Sequence, residues 1–521
     1  MRKSISKEKN QNRDFNKSLR MIAKSSVIVF IGLVLSKIFT YSYRIIIARE
    51  FGPEVYGLFI LAVMISGWFI VFSTLGIGEG LIRYLPRFKE KNPDKLSFLF
   101  RSSTKYLTIF GVLSSLILFF SAESIAINFL NEPGLVIFLK WFSLVIPLTV
   151  LLTAFLSNLK AHEEIGLQSF LSSVLQPGLK VVLISTFLFL GFSINAVIFS
   201  YILALGVTLI LAYFISIKKT PAVFKKNSLK SQSKFLLKRE FFRFSLPLLF
   251  AGMMWRLFYW TDSLIIGFYN SATEVGIYNA AVPLAFLLSI ASQLFLQLFF
   301  PLINKEYSLG NKETVKQLSK QLSKWTLALN LPILIILLVF PEFLINLLFG
   351  PEFLGATNAL RILAIGGIFS SLAEFPNRLI TSSGRSKIIL IDITIITILN
   401  IFLNLFLVPK YGITGAATAT MISFIVLSFT FTFQSIKYLS VFPIRRKMLN
   451  ILLAAAVSTT GLIYFKSLSS QNILSFLLLA TFFTTFYVLL IYLFRGLDKN
   501  DFMILRSATK FSKRLAKPPN K

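Results

Sequence analysis

The sequence predicts an all-α polytopic membrane protein with fourteen transmembrane helices: two pseudo-symmetric six-helix lobes around a central cavity, followed by two C-terminal helices. Four observations carry this. The 521-residue chain is 55% hydrophobic, with a mean hydropathy of +0.74. Apolar runs of the ~20 residues needed to cross a bilayer recur along nearly its whole length. The basic residues, which give a net charge of +32, fall in alternate connections between those runs. The two halves also resemble each other at a constant shift of 219 residues.

The spans are expected near 22–47, 56–82, 98–121, 135–160, 166–190, 194–217, 241–268, 274–302, 322–348, 356–380, 387–409, 412–436, 447–466 and 472–495. The first follows a polar, basic arm, and its apolar stretch runs to about Arg44 without a small-residue cleavage site. It is therefore a span and not a removable signal peptide. Prolines 147, 177, 247, 283, 332 and 376 lie inside spans and predict kinked helices. The Pro-Gly step in "LQPGLK" (175–180) offers a hinge ahead of Lys180. The glycines of "LGIGEGLIRYL" (75–85) follow no strand and precede no GK[ST], so they read as close helix packing, not as a phosphate loop.

The connections test the count. One side carries Arg87, Lys89, Lys91 and Lys95, then Lys218, Lys219, Lys225, Lys226, Lys230 and Lys234, then Lys305, Lys312 and Lys316, then Arg385 and Lys387, then Arg445 and Arg446. The opposite connections, such as "GFSIN" and "NSATE", are nearly free of Lys and Arg. This positive-inside alternation puts both basic termini in the cytoplasm of a multi-pass cell-membrane protein. It also argues against nucleic acid as the partner of the excess charge. The expected divisions are an N-lobe (1–217), a cytoplasmic linker (218–240), a C-lobe (241–436), spans 13–14 (437–495) and a basic tail (496–521). With no cysteine, one histidine (His162, beside Glu163 and Glu164 at a helix end) and no nucleophile–base spacing, neither an enzyme nor a metal or other cofactor is expected.

The repeat pairs Gly57 with Gly276, Glu123 with Glu342, Asn158 with Asn377 and Ile194 with Ile413. Six spans per unit give both lobes the same orientation, related by an axis along the membrane normal. The same shift maps Lys37 onto Arg256 and Tyr41 onto Trp260. Each lobe thus opens with a helix bearing a mid-depth cation and an aromatic one turn away. Lys37, Tyr41 and Arg44 form one helical stripe, and Lys180 of span 5 is also near mid-depth. A cation at a span's centre costs about 2.5–3.5 kcal/mol on insertion scales, so these should line a wet cavity. The alternative is an ion pair with Asp262. Glu374 and Arg378 are spaced for a local pair, while Lys140, Arg83 and Arg361 are placed to snorkel. Mid-depth Lys and Arg suit an anionic ligand.

"IIIAREFGPEVYGLFILAVMI", "TDSLIIGFYNSATEVGIYNAA", "FPEFLINLLFGPEF" and "VPKYGITGAATATMISF" resemble the polysaccharide biosynthesis and oligosaccharide flippase family. Its superfamily includes multidrug extrusion proteins and the lipid II flippase. The resemblance covers about residues 20–440. It implies two lobes forming a V lined by spans 1, 2, 7 and 8, and alternating access that carries a lipid-linked oligosaccharide between leaflets. It also implies that spans 13 and 14 help form a groove for the lipid tail. On this reading Lys37, Arg44, Lys180 and Arg256 hold an anionic phosphate or diphosphate headgroup. Tyr41, Tyr259 and Trp260 stack on sugars or bracket the cations, and Asp262 sits in the same site. Membrane lipid and glycosyltransferases of the pathway are the expected partners. The rivals are an ion-coupled multidrug antiporter, with Asp262 and Asp392 as its only acidic candidates, and a non-transporting scaffold for glycan assembly.

Overall fold

The computed structural model describes residues 2–89, 92–225, 229–442, 445–467 and 472–496. Side chains of these residues are described from Val34 onward, Ala251, Leu298, Pro301 and Ser467 excepted. Lys91, Lys226 and the basic tail beyond Gly496 lie outside the described residues. Every regular element among the described residues is helical.

Eleven helices are long and apolar enough to cross a membrane. One of them, Ser386–Leu439, has 54 residues and would reach about 80 Å at ~1.5 Å per residue if straight. It is instead broken at Gly412, which has φ 55°. Asn400 Nδ2 then donates to Thr420 Oγ1 at 3.3 Å, a contact that only a hairpin permits across twenty positions. The first helix, Arg2–Thr74, breaks in the same way at Gly52, with φ 74°. Its Tyr43 and Phe59 rings meet at 5.8 Å. Each hairpin therefore holds two spans. The pair Ala272–Ala285 and Leu288–Gln297, bent by 43°, supplies one more candidate, an arrangement consistent with the fourteen spans expected. Both glycines stand where left-handed backbone reverses the chain, the region that glycine enters most readily.

The repeat appears as an isologous contact. A Cβ at Gly57 would lie 1.7 Å from the Ala272 carbonyl oxygen, and one at Gly276 would lie 2.0 Å from the Pro53 carbonyl oxygen. Ala272 and Gly276 are Pro53 and Gly57 advanced by 219 positions. Spans 2 and 8 thus cross through backbone at matching points of the two lobes, on the face away from the basic connections, here called distal.

On the opposite, proximal face the glycines of 75–85 pack as expected. A Cβ at Gly80 would lie 2.3 Å from Ser245 Oγ, and one at Gly76 would lie 2.1 Å from the Ser245 carbonyl oxygen. Tyr84 meets Phe241 and Phe244 edge-on, each at 5.7 Å. Arg83, expected to snorkel, meets a ring of span 7. Its guanidinium stacks 4.1 Å from the Phe244 ring of span 7, while the residue stays exposed. Arg361 is likewise paired, with Glu342 at 2.6 Å. Arg378 and Glu374 are in reach of each other at 3.9 Å.

The segment expected as linker is partly helix. Span 7 begins at Ser231 and runs to Tyr269, so it extends ten residues beyond its apolar part. Lys238 Nζ donates to the Tyr106 hydroxyl at 3.1 Å, and Tyr106 meets Phe242 at 5.3 Å. The first half of span 7 therefore rests on the N-lobe. Span 5 carries a π-helical turn at Phe170–Leu175, directly ahead of Pro177, so the irregularity expected at the Pro-Gly step lies one turn earlier. Spans 13 and 14 (Lys447–Ser467 and Ile473–Leu493) pack on span 9, where the Tyr487 hydroxyl donates to the Ala328 carbonyl at 3.0 Å.

Candidate functional site

Two chemically opposite sites face the interior. The first lies in the N-lobe. The stripe of span 1 brings Lys37 Nζ to 5.9 Å from the Tyr41 ring and places Arg44 one turn further along. Lys180 Nζ stands 3.4 Å from the centre of the Tyr201 ring. That ring is fixed by Phe142 at 5.1 Å, Phe59 at 5.9 Å and Tyr43 at 6.4 Å. Tyr43 is itself tied to span 6, donating to the Val197 carbonyl at 2.9 Å and lying 3.0 Å from Ser200 Oγ. Arg44 is in electrostatic contact with Lys37, Tyr41, Tyr56, Lys180 and Tyr201.

Arg256 completes the set from span 7. Its guanidinium is 5.1 Å from the Trp260 ring and interacts with Tyr201 across the lobe boundary. Trp260 lies flat on span 2, where a Cβ at Gly67 would come within 2.2 Å of it, and its edge meets Trp68 at 6.0 Å. Lys37, Arg44 and Lys180 are partly accessible and Arg256 is exposed, yet protein atoms surround Lys37, Lys180 and Arg256. Among the described residues none of the four cations has a carboxylate within ion-pair distance. Cations without a counter-ion have the chemistry that an anion would complement. Guanidinium groups offer bidentate hydrogen bonds and ammonium groups offer point charge.

The second site lies in the C-lobe. Asp262 is 5% exposed and does not pair with Arg256. Its carboxylate accepts hydrogen bonds from the Tyr278 hydroxyl at 2.5 Å, Thr420 Oγ1 at 2.5 Å and Asn404 Nδ2 at 2.8 Å. It borders a cavity also lined by Tyr259, Phe258, Phe286 and Phe424. The Asn400 and Asn404 side-chain oxygens lie buried nearby without a hydrogen-bond donor. A carboxylate with amide and hydroxyl oxygens around it is a donor set for a proton or a small hard cation.

Of the residues expected in one site, Lys37, Tyr41, Arg44, Lys180, Arg256 and Trp260 come together. Tyr259 and Asp262 do not. They line the C-lobe cavity, and at ~100° per residue Asp262 stands about 120° around span 7 from Arg256. Tyr201 and Tyr56 escaped the sequence reading, being neutral residues in apolar helices. Asn400 and Asn404 carried a signal, since two amides four apart share a face.

The profile of the polysaccharide biosynthesis protein family matches residues 22–306, and that of the MatE family matches residues 247–406. A putative O-antigen transporter from Shigella flexneri is 23% identical over 420 residues, 78% of this chain and 95% of that protein. A probable low-salt glycan biosynthesis flippase from Haloferax volcanii, Agl15, is 27% identical over 240 residues, 46% of this chain and 49% of that protein. Among solved structures, the lipid II flippase MurJ in an inward closed conformation superposes with a TM-score of 0.73 at 19% identity, covering 90% of this chain and 98% of MurJ. An inward-facing MATE multidrug transporter gives a TM-score of 0.66 at 14% identity, covering 79% of this chain and 98% of that one. With its profile matching more than half of its length, this chain belongs to the polysaccharide biosynthesis protein family.

Proposed function

We propose that the protein translocates a lipid-linked oligosaccharide across the cell membrane by alternating access, for cell-surface polysaccharide or glycoprotein synthesis. The proximal face is cytoplasmic and the distal face is outside. Lys37, Arg44, Lys180 and Arg256 hold the phosphate or diphosphate of the headgroup. Tyr41 and Trp260 bracket the cations or stack on sugars, and the lipid tail stays in the bilayer, in a side groove to which spans 13 and 14 contribute. Glycosyltransferases of the same pathway supply the cargo. The single observation that carries the reading is the group of uncompensated cations around Tyr201. The family and the named functions of the relatives point the same way.

The test uses vesicles holding the purified protein and a fluorescent lipid-linked oligosaccharide. A hydrogen bond to a charged group is worth about 1.5–3 kcal/mol. Lys37→Ala with Arg256→Ala should therefore slow flipping by about a hundredfold or more while folded protein is recovered at wild-type levels. Wild-type rates in that variant would defeat the headgroup role.

The MatE match keeps one second reading, an ion-coupled antiporter of the same fold. It places cargo in the Asp262 cavity and predicts export of cationic drugs, which the first reading does not.

A further inference from the structure

The distal ends of the lobes are joined by more than apolar packing. Arg49, at the end of span 1, donates from Nε to the Leu348 carbonyl at 2.9 Å and from Nη2 to the Asn346 carbonyl at 3.3 Å, and it also contacts the Leu347 carbonyl. These are the last carbonyls of the C-lobe helix Pro341–Leu348; that of Asn346 also accepts from the Gly350 N–H at 3.1 Å, whereas the last carbonyls of a helix have no donor within it. On the other side of the pseudo-two-fold, Glu132 Oε1 accepts from the backbone N–H of Ala272 at 2.5 Å. Ala272 is the first residue of the helix Ala272–Ala285. A cation from the N-lobe thus caps a C-lobe helix C-terminus, and an anion from the N-lobe caps a C-lobe helix N-terminus. Both signs match the helix dipole.

The placement is systematic. Arg49 comes from the connection between spans 1 and 2 and docks on the one between spans 9 and 10. Glu132 comes from the connection between spans 3 and 4 and docks on the one between spans 7 and 8. Advancing by 219 positions exchanges these pairings, so the two caps occupy equivalent places about the axis. Tyr56 adds a bond from its hydroxyl to the Asn279 carbonyl at 3.2 Å. At the proximal end the contact with span 7 is made of Tyr84, Phe241, Phe244 and glycine backbone, with Arg83 lying on a ring and one side-chain hydrogen bond, from Lys238 to Tyr106; no helix end is capped there by these residues.

We infer that Arg49 and Glu132 form a paired electrostatic latch across the lobes that holds the distal end shut, and that its release is the step that opens the distal face. Separating the lobes there returns the carbonyls of Asn346 to Leu348 and the N–H of Ala272 to water. Removing the two side chains lowers the difference between closed and open states without touching the cation site or the Asp262 cavity.

The chain has no cysteine, so spin labels can be placed in its natural sequence. Ser193→Cys and Tyr411→Cys put one label on each lobe at exposed distal positions. Their distance distribution, read by pulsed electron paramagnetic resonance in vesicles, reports distal opening. Arg49→Gln with Glu132→Gln should raise the long-distance population at least tenfold, with each single change giving an intermediate rise. Glu50→Gln, an exposed neighbour that caps no helix, should leave the distribution unchanged. An unaltered distribution in the double variant would overturn the latch, as would an equal shift in Glu50→Gln.

Discussion

The two lobes share a frame and differ in charge. Tyr43, Phe59 and Tyr201 in the first lobe stand at the positions that Asp262, Tyr278 and Thr420 hold in the second. In the N-lobe that trio is a set of packed rings, with Tyr201 carrying Lys180 on its face. In the C-lobe it is a hydrogen-bonded carboxylate. Arg44 is matched by Ser263, and Lys180 by Leu399. The backbone crossing of Gly57 and Gly276 needs the symmetry, because each close approach implies its partner. The interior does not, and there the lobes differ in chemistry: cations beside aromatic rings in one, and an enclosed acid in the other.

The largest effect expected separates these roles by stability. Asp262→Leu removes the acceptor of three hydrogen bonds and leaves Tyr278, Asn404 and Thr420 unsatisfied in a buried place. A loss of about 3–5 kcal/mol should follow, seen as a fall in the midpoint of thermal unfolding in detergent. Asp262→Asn, which keeps the shape, should unfold much closer to wild type. Equal, small shifts for both would mean that the carboxylate is not integral to the C-lobe.

The symmetric feature should behave symmetrically. Gly57→Ala and Gly276→Ala each push a methyl group into a backbone carbonyl, and overpacking of this kind costs about 1–3 kcal/mol. Both should lower the unfolding midpoint, by similar amounts. A large effect in one and none in the other would break the equivalence of the two crossings.

The cations should do the reverse of Asp262. Lys180→Met takes an enclosed charge out of the protein and should leave the unfolding midpoint unchanged or higher, while flipping in vesicles falls about tenfold or more. Parallel loss of stability and transport would turn Lys180 into a structural residue. Tyr201→Leu should have a smaller effect, since a shielded cation–π contact contributes about 2 kcal/mol. Its effect should vanish when Lys180 is already Met, and additivity of the two changes would show that Tyr201 acts by another route.

Most of this comparison was legible in the sequence, and the missing parts share a cause. Chain crossings follow from apolar runs of bilayer length, and the 219-residue shift follows from counting. Lys37 and Arg256 stand out because a charge within an apolar run is expensive and therefore visible. Tyr201 does not stand out, since a tyrosine in a helix of phenylalanine and isoleucine has no sequence contrast. Its place beside Lys180 depends on how spans 5 and 6 rotate against each other. Asp262 was visible as a charge in an apolar run, but its hydrogen-bond partners were not. Its partners Thr420 and Asn404 lie across a hairpin more than a hundred positions away, and no local spacing reports that. Arg361 and Arg83 were expected at the interface because depth is readable from sequence, whereas the carboxylate and the ring that hold them come from other helices.

The most direct measurement is a photocrosslink that asks which lobe meets the charged end of the cargo. A lipid-linked oligosaccharide with a photoreactive group next to its diphosphate is bound to the purified protein, irradiated, and located by peptide mass spectrometry. The account predicts adducts in spans 1, 5 and 6 around Lys37, Lys180 and Tyr201, lost in the Lys37→Ala with Arg256→Ala variant. Adducts concentrated around Tyr259, Asp262 and Phe286, and kept in that variant, would contradict it.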